Sequence, residues 1–280
     1  MGRGADPRDR SVDRPEGEGN AVRFHRIKMH FQHQGRIARL TLAAPKANIL
    51  DRQMMAELNL ALQHCAEHPL HAIVIGAEGP HFSFGASVQE HMPDQIVGTL
   101  ATLHALLRRL ASASAPTIAA VQGRCLGGGF ELALGCDLMM VEDSAIFAAP
   151  EVKLGVFAPA ASALLPVKVG SARAAGLLLT GVELSAFEAF SSGLANRLAP
   201  KGFLDPELEA WLDADFLSRP PVTLRCAAEA ARWAVREALD KRLPVLERLY
   251  LDKLMAAPEP LEGLKAFIEK REPEWHLQLH

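Results

Sequence analysis

Two glutamates in apolar surroundings carry the best prospect of chemistry in this sequence. Glu131 follows Gly127-Gly128-Gly129 and is flanked by Phe130, Leu132, Ala133 and Leu134. Glu151 follows Pro150 in the apolar run Ile146-Phe-Ala-Ala-Pro-Glu-Val152. Taking a carboxylate out of water is costly unless it is paired or used. Two carboxyls in one dry pocket suit acid/base work at a carbon centre, because desolvation lifts their pKa toward neutrality. Each also has a plain structural reading. Glu131 fits a first-turn glutamate favoured by the helix dipole, and Glu151 fits a solvated loop carboxylate. Local sequence leaves both readings open and does not by itself bring the two residues together.

The glycines add a second signal. Three in a row at a strand-to-helix junction are costly in conformational entropy, so something must require them. One reason is close approach of a ligand to bare backbone; another is the affinity of helix N-terminal N–H groups for negative charge. A tight strand–helix crossing with no ligand is the alternative. A phosphate loop is excluded, since neither GxxxxGK[ST] nor a GxGxxG opens this helix. Phe84-Gly85-Ala86-Ser87 is a third candidate: small residues after a strand and a loop, able to offer a backbone N–H to a ligand.

The elements that must position these residues follow from periodicity. Residues 27–33 and 36–42 flank Gln34-Gly35 and predict a β-hairpin. Pro45-Lys46-Ala47-Asn48 is a turn, and Asp51 is the N-cap of a helix over 52–67. Strands are expected at 71–76, 117–121, 138–141, 145–147 and 194–198, and helices over 95–112, 160–169, 171–179 and 184–190. Beyond about 203 the pattern is helical throughout: 204–217, 221–238, 241–256 and 259–271. Recurring ββα turns suggest an α/β coil of such units rather than a doubly wound sheet.

The bulk numbers set limits. The chain has 280 residues, 49% of them apolar, and a formal net charge of −3. That charge gives no general attraction to nucleic acid or to an anionic membrane. The stretch 1–24 is polar and rich in Arg, Asp, Gly and Pro; it reads as a flexible tail without the apolar core of a signal peptide. No stretch offers the roughly 18 apolar residues of a membrane span. Cys65, Cys125, Cys136 and Cys226 form no metal-ligand spacing and read as reduced thiols of a cytoplasmic protein. No metal site is expected.

Taken in order, FSFGASVQEH, QGRCLGGGFELALGCDL and APEVKLGVF resemble the signature of the crotonase (enoyl-CoA hydratase/isomerase) superfamily, from about Ile27 to the C-terminus. The resemblance implies a spiral of ββα units over 25–200 and a C-terminal helical region over 201–280 that mediates trimers, often paired into hexamers. It implies an acyl-CoA thioester as substrate, CoA being part of that substrate, and no other cofactor. The backbone N–H groups of Ala86 and Gly128 would form an oxyanion hole, the kind of donor pair that suits an enolate oxygen in a dry site. Glu131 would take a proton from water and Glu151 would deliver one, the pattern of hydratases that keep both glutamates. Lys46 and Ala47 would hold the CoA nucleotide, with Phe267 and Lys270 supplied by a neighbouring subunit. After Glu151 the chain departs from common enoyl-CoA hydratases: a Gly-Gly-Thr-Gln type run is replaced by Gly155-Val-Phe-Ala-Pro-Ala-Ala-Ser-Ala-Leu-Leu-Pro166. With KANILD upstream, this resembles the cyclohexa-1,5-diene-1-carbonyl-CoA hydratases of anaerobic aromatic degradation. Phe84, Val156, Phe157 and Leu164 are expected to line a flat acyl pocket. A general 2-enoyl-CoA hydratase, an isomerase or hydrolase on the same scaffold, and a silent or RNA-binding relative are the other readings; near-neutral charge and two retained glutamates oppose the last.

Overall fold

The computed structural model describes residues 23–45 and 47–275. The expected N-terminal tail falls almost wholly outside the described residues, as does Lys46. The hairpin of β1 (Ile27–Gln32) and β2 (Ile37–Leu42) is antiparallel, with Ile27 opposite Leu42. His33, Gln34 and Gly35 turn it with positive φ. Beyond it, β3 (Ala72–Ala77), β4 (Thr117–Val121), β5 (Arg124–Leu126), β6 (Leu138–Glu142), β7 (Ile146–Ala148), β8 (Leu184–Ser185) and β9 (Arg197–Ala199) make two sheets. The larger runs β1-β2-β3-β4-β6-β9 and the smaller β5-β7-β8. From β2 to β9 the larger sheet is parallel. Its central strands Ala-Ile-Val-Ile-Gly-Ala and Thr-Ile-Ala-Ala-Val are buried almost throughout, as strands covered on both faces must be.

The two sheets are linked turn by turn. After each strand of the large sheet the chain bends, adds a short piece to the second sheet, and enters a helix. After β2 that piece is Leu50, which bridges Ala86, and the helix is α1 (Arg52–Cys65). After β3 it is Ser83, which bridges Cys125, and the helix is α2 (Ile96–Ala111). After β4 it is β5, then α3 (Gly128–Leu134); after β6 it is β7, then α4 (Pro159–Val169). This is the expected spiral of ββα units. The bend between β4 and β5 requires glycine: Gly123 has φ +55°, and a Cβ there would lie 2.0 Å from the Pro80 carbonyl oxygen.

Short helices α5 (Ser171–Thr180) and α6 (Ala186–Ser191) lead to β9. The segment expected as one helix from 184 begins instead as β8, because Ser185 pairs with Ile146 and then caps α6 through a capping box with Glu188. The C-terminal block holds α7 (Leu204–Leu212), α8 (Pro221–Ala231), α9 (Trp233–Glu237), α10 (Leu243–Arg248) and α11 (Pro258–Glu269). Three π-helical segments, Asp213–Leu217, Ala238–Arg242 and Leu249–Leu254, interrupt what the periodicity presents as long helices. The second immediately precedes α10, near whose start Pro244 has no N–H to donate.

One buried ion pair ties this block to the spiral. The Arg232 guanidinium donates to both Asp137 carboxylate oxygens at 2.7 and 2.6 Å and to the Ala113 and Ala115 carbonyls at 2.6 and 2.7 Å. Asp137 also accepts from the Thr117 N–H at 2.7 Å, holding β4 against β6. No helix among the described residues is long and apolar enough to cross a membrane.

Candidate active site

The register of the small sheet brings the two glutamates together. Leu126, the last residue of β5, pairs with Ala148, the last of β7, and the Gly127 N–H donates to the Ala148 carbonyl at 2.9 Å. One chain then turns into α3 and presents Glu131 in its first turn; the other turns into the 3-10 segment Pro150–Leu154 and presents Glu151.

Each of the three glycines is accounted for by a different neighbour. Gly127 has φ +49°, and a Cβ there would lie 2.7 Å from Glu151 Oε1, so the carboxyl of Glu151 occupies the space a side chain would need. A Cβ on Gly128 would lie 3.1 Å from the Ala86 nitrogen, and one on Gly129 would lie 2.5 Å from Ser83 Cβ. The loop facing them is fixed by its own bonds. Ser83 Oγ donates to the Asn48 carbonyl at 2.7 Å and accepts from the Gly85 N–H at 3.1 Å, while the Leu50 N–H donates to the Gly85 carbonyl at 2.9 Å. Gly85, at φ +99°, passes so near β5 that a Cβ would lie 2.9 Å from the Leu126 carbonyl oxygen. Ala86 and Gly128 thus face each other, and neither N–H has a hydrogen-bond partner among the described residues.

Glu131 is buried, and its Oε1 accepts from the Ala161 N–H at 2.8 Å. Ala161 lies in the first turn of α4, which opens on Pro159, so the carboxylate caps that helix. Glu131 thus lies in the first turn of its own α3 and also at the N-terminal end of α4. Burial outweighs these bonds and raises the Glu131 pKa to about 7. Glu151 Oε2 is buried with no partner. Burial, and after it the nearby Glu131 charge, raises the Glu151 pKa to about 8. Two such carboxyls titrate as a pair that holds protons into the neutral range.

A cavity of about 340 Å³ opens at Glu151, Ala86 and Gly127, and Glu131 and Gly128 lie behind its lining. Phe84, Ala86, Val88, Val156, Leu264 and Phe267 supply its apolar walls, and Glu151 reaches into it. Of the residues expected to line an acyl pocket, Phe84 and Val156 line this cavity. Phe157 and Leu164 do not: Phe157 sits behind the wall against Tyr250, with ring centroids 5.4 Å apart, and Leu164 is fully buried in the main core. Phe267, expected to act on a neighbouring subunit, lines the cavity of its own chain, while Lys270 is an exposed C-cap of α11. Ala47, at φ +82°, accepts from the Phe84 N–H at 3.0 Å and borders a second hollow with Pro45, Pro80 and His81. The His81 and Phe84 rings, 4.9 Å apart, stand between the two hollows.

Sequence reasoning missed two polar residues here. His91 lines the cavity and donates from Nδ1 to the Ser87 carbonyl at 2.8 Å, and burial lowers its pKa. Tyr250 is buried beside the site with its hydroxyl unpartnered. It is the single tyrosine of the chain, which is the one signal that could have drawn attention to it. Among the described residues the group able to hold a metal ion, His64, Glu67 and His68, contributes nothing to the cavity lining.

Comparison with known proteins agrees with this geometry. The family described as enoyl-CoA hydratase/isomerase matches residues 32–278. A cyclohexa-1,5-dienecarbonyl-CoA hydratase of Thauera aromatica is 44% identical over 252 residues, 89% of this chain and 96% of that protein. A carnitinyl-CoA dehydratase of Proteus mirabilis is 30% identical over 257 residues, 88% of this chain and 97% of that protein. The crystal structure of an enoyl-CoA hydratase from Mycobacterium avium superposes with a TM-score of 0.80 at 28% identity, covering 90% of this chain and 99% of that one.

Proposed function

Because the chain belongs to the enoyl-CoA hydratase/isomerase family and is a hydro-lyase of the enoyl-CoA hydratase type, we propose that it hydrates cyclohexa-1,5-diene-1-carbonyl-CoA to 6-hydroxycyclohex-1-ene-1-carbonyl-CoA, a step of anaerobic benzoyl-CoA degradation. The observation that carries this reading is the meeting of two carboxyls with raised pKa and two facing backbone N–H groups, with Glu151 and Ala86 opening onto an apolar cavity and Glu131 and Gly128 directly behind them. The 44% identity to the Thauera aromatica hydratase supports the choice of ring substrate.

In this reading the thioester carbonyl lies between the Ala86 and Gly128 N–H groups. Glu131 takes a proton from water as the oxygen bonds to the β-carbon of the diene. The π electrons move onto the carbonyl oxygen, giving a dienolate held by the two N–H groups. Protonated Glu151 then gives its proton to the γ-carbon on the other arm of the ring, and the remaining double bond moves beside the carbonyl-bearing carbon. Water is consumed, one proton enters Glu131 and one leaves Glu151. Carboxyls that titrate near neutrality can fill both roles at one pH.

The hollow beside Ala47 fits the CoA nucleotide, and the His81–Phe84 boundary fits the path of its pantetheine arm into the acyl cavity. Exposed apolar side chains at Val222, Trp233, Val245 and Leu249 support a homotrimer or a dimer of trimers. Free thiols at Cys65, Cys125 and Cys136 support a cytoplasmic location.

The test is turnover of the ring dienoyl thioester beside crotonyl-CoA, with Glu131→Gln and Glu151→Gln as controls. Preference for the ring, lost in both variants, is the expected result. Preference for crotonyl-CoA would instead make the protein a general 2-enoyl-CoA hydratase.

A further inference from the structure

Tyr250 is fully buried within the π-helical segment Leu249–Leu254, yet its hydroxyl has no hydrogen-bond partner. A phenol can bury its ring cheaply, but its O–H normally finds a partner. Leaving it orphaned carries a desolvation cost, and that cost calls for a use.

The surroundings indicate the use. Tyr250 packs with Val156 and Leu264, both of which line the acyl cavity, and its ring meets Phe157 edge-on. Val156 is in turn tied to the Glu151 segment, its N–H donating to the Glu151 carbonyl at 3.2 Å. Both Glu151 and Glu131 act electrostatically on the phenol, which accords with its packing behind the Val156–Leu264 wall on the Glu151 side of the cavity. Glu151 Oε2 is likewise buried and unpartnered. Two orphaned polar atoms, a phenol O–H and a carboxyl oxygen, thus lie on either side of the wall that Val156 and Leu264 form. A third atom touching both would satisfy them together.

We propose that Tyr250 is a further catalytic residue, whose hydroxyl donates a hydrogen bond to the oxygen that adds to the substrate. As water gives its proton to Glu131, negative charge gathers on that oxygen before the C–O bond is complete, and the phenol O–H stabilises it. In the reverse direction the same contact supports the departing hydroxyl. Tyr250 transfers no proton: burial and the two glutamate charges raise its pKa, so it stays a donor. The proposal rests on the hydratase reading and adds to it the group that handles oxygen rather than carbon.

Tyr250→Phe in the full-length chain isolates the hydroxyl, since the ring and its packing are kept. The loss of one such bond is expected to lower kcat for hydration about 10- to 100-fold with KM within about twofold and Tm unchanged or higher. A second measurement separates this from a structural effect. Exchange of the α-protons of butanoyl-CoA with D2O needs the carboxyls and the oxyanion donors but moves no hydroxyl, so it should continue in the variant within about twofold of wild type. Equal loss of hydration and exchange would place Tyr250 behind the carboxyls and overturn the proposal, as would a variant that hydrates at the wild-type rate. If the wild-type protein hydrates neither crotonyl-CoA nor the ring diene, the hydratase reading itself falls and the proposal with it.

Discussion

Gly128→Ala should abolish catalysis while leaving the fold intact. Gly128 opens α3 without a positive φ, so alanine introduces no backbone strain and improves helix propensity by up to about 1 kcal/mol. Its methyl would lie 3.1 Å from both the nitrogen and the Cβ of Ala86, a tight contact relieved by a shift of a few tenths of an ångström. An oxyanion must itself sit about 2.7–3.1 Å from each donor. The methyl therefore stands where the carbonyl oxygen has to enter, and both donors are lost at once. One lost donor costs about 10²–10³ in rate. Loss of both is expected to lower kcat/KM by about 10⁴ or more, roughly 5–6 kcal/mol of transition-state stabilisation. The assay is disappearance of the conjugated thioester absorbance, beside a thermal melt. A variant that melts normally and still hydrates within tenfold of wild type would refute the assignment of Ala86 and Gly128 as the oxyanion donors.

Other consequences can be checked on the same preparation. Gly127→Ala should differ from its neighbour in losing stability as well as activity, because φ +49° is unfavourable and the new Cβ would lie 2.7 Å from Glu151 Oε1; Gly35→Ala, at φ +83° with open space around it, should cost stability alone. Folding raises the glutamate pair from the ordinary value of 4.5 to about 7 and about 8. Within that window the native state binds more protons than the unfolded chain, so stability should fall as pH rises from about 5 to 8 and level off above. Glu131→Gln/Glu151→Gln should flatten that slope in denaturant titrations, and an unchanged slope would show that the carboxyls are not desolvated. Arg232→Ala leaves the largely covered Asp137 carboxylate without its guanidinium partner and should lower unfolding free energy by about 2–4 kcal/mol; a loss under about 1 kcal/mol in urea titration would mean that solvent replaces the lost bonds at Asp137.

The fold was legible wherever period and punctuation agree. Gln34-Gly35 between two apolar runs, Asp51 before Met54 and Met55, and the long leucine set of α2 all became the expected elements. Short pieces were not legible. The bridges at Leu50 and Ser83 involve single residues and leave no periodic trace, although they are what closes the second sheet. The C-terminal π-helical segments keep a nearly helical pattern while shifting which side chains face the core, and that shift places Tyr250 inside. That Leu164 lies in the main core and not on the cavity wall was not legible for a related reason. Its segment reads as uniformly apolar, and a helix apolar on every face carries no mark of which face meets a cavity.

The contrast between the readable scaffold and the less readable substrate has a physical origin. The proposed donors at Ala86 and Gly128 are backbone groups, so side-chain substitution cannot supply them; it can only block them. Every neighbour that must come close is then forced to be small: Gly85 against Leu126, Gly127 against Glu151, Gly128 against Ala86, Gly129 against Ser83. Those constraints write themselves into the sequence as an unusual run of glycines. The cavity wall is built from Phe84, Val88, Val156, Leu264 and Phe267, side chains that would meet the proposed acyl group only through apolar contact. Such residues exchange at a cost of about 1–3 kcal/mol per methylene difference, too little to force one residue type at one position. Chemistry at the carbonyl is therefore written in residues that must be absent, and choice of acyl group in residues that are free to vary. Turnover on paired ring and linear thioesters consequently carries more information about this protein's substrate than its motifs do.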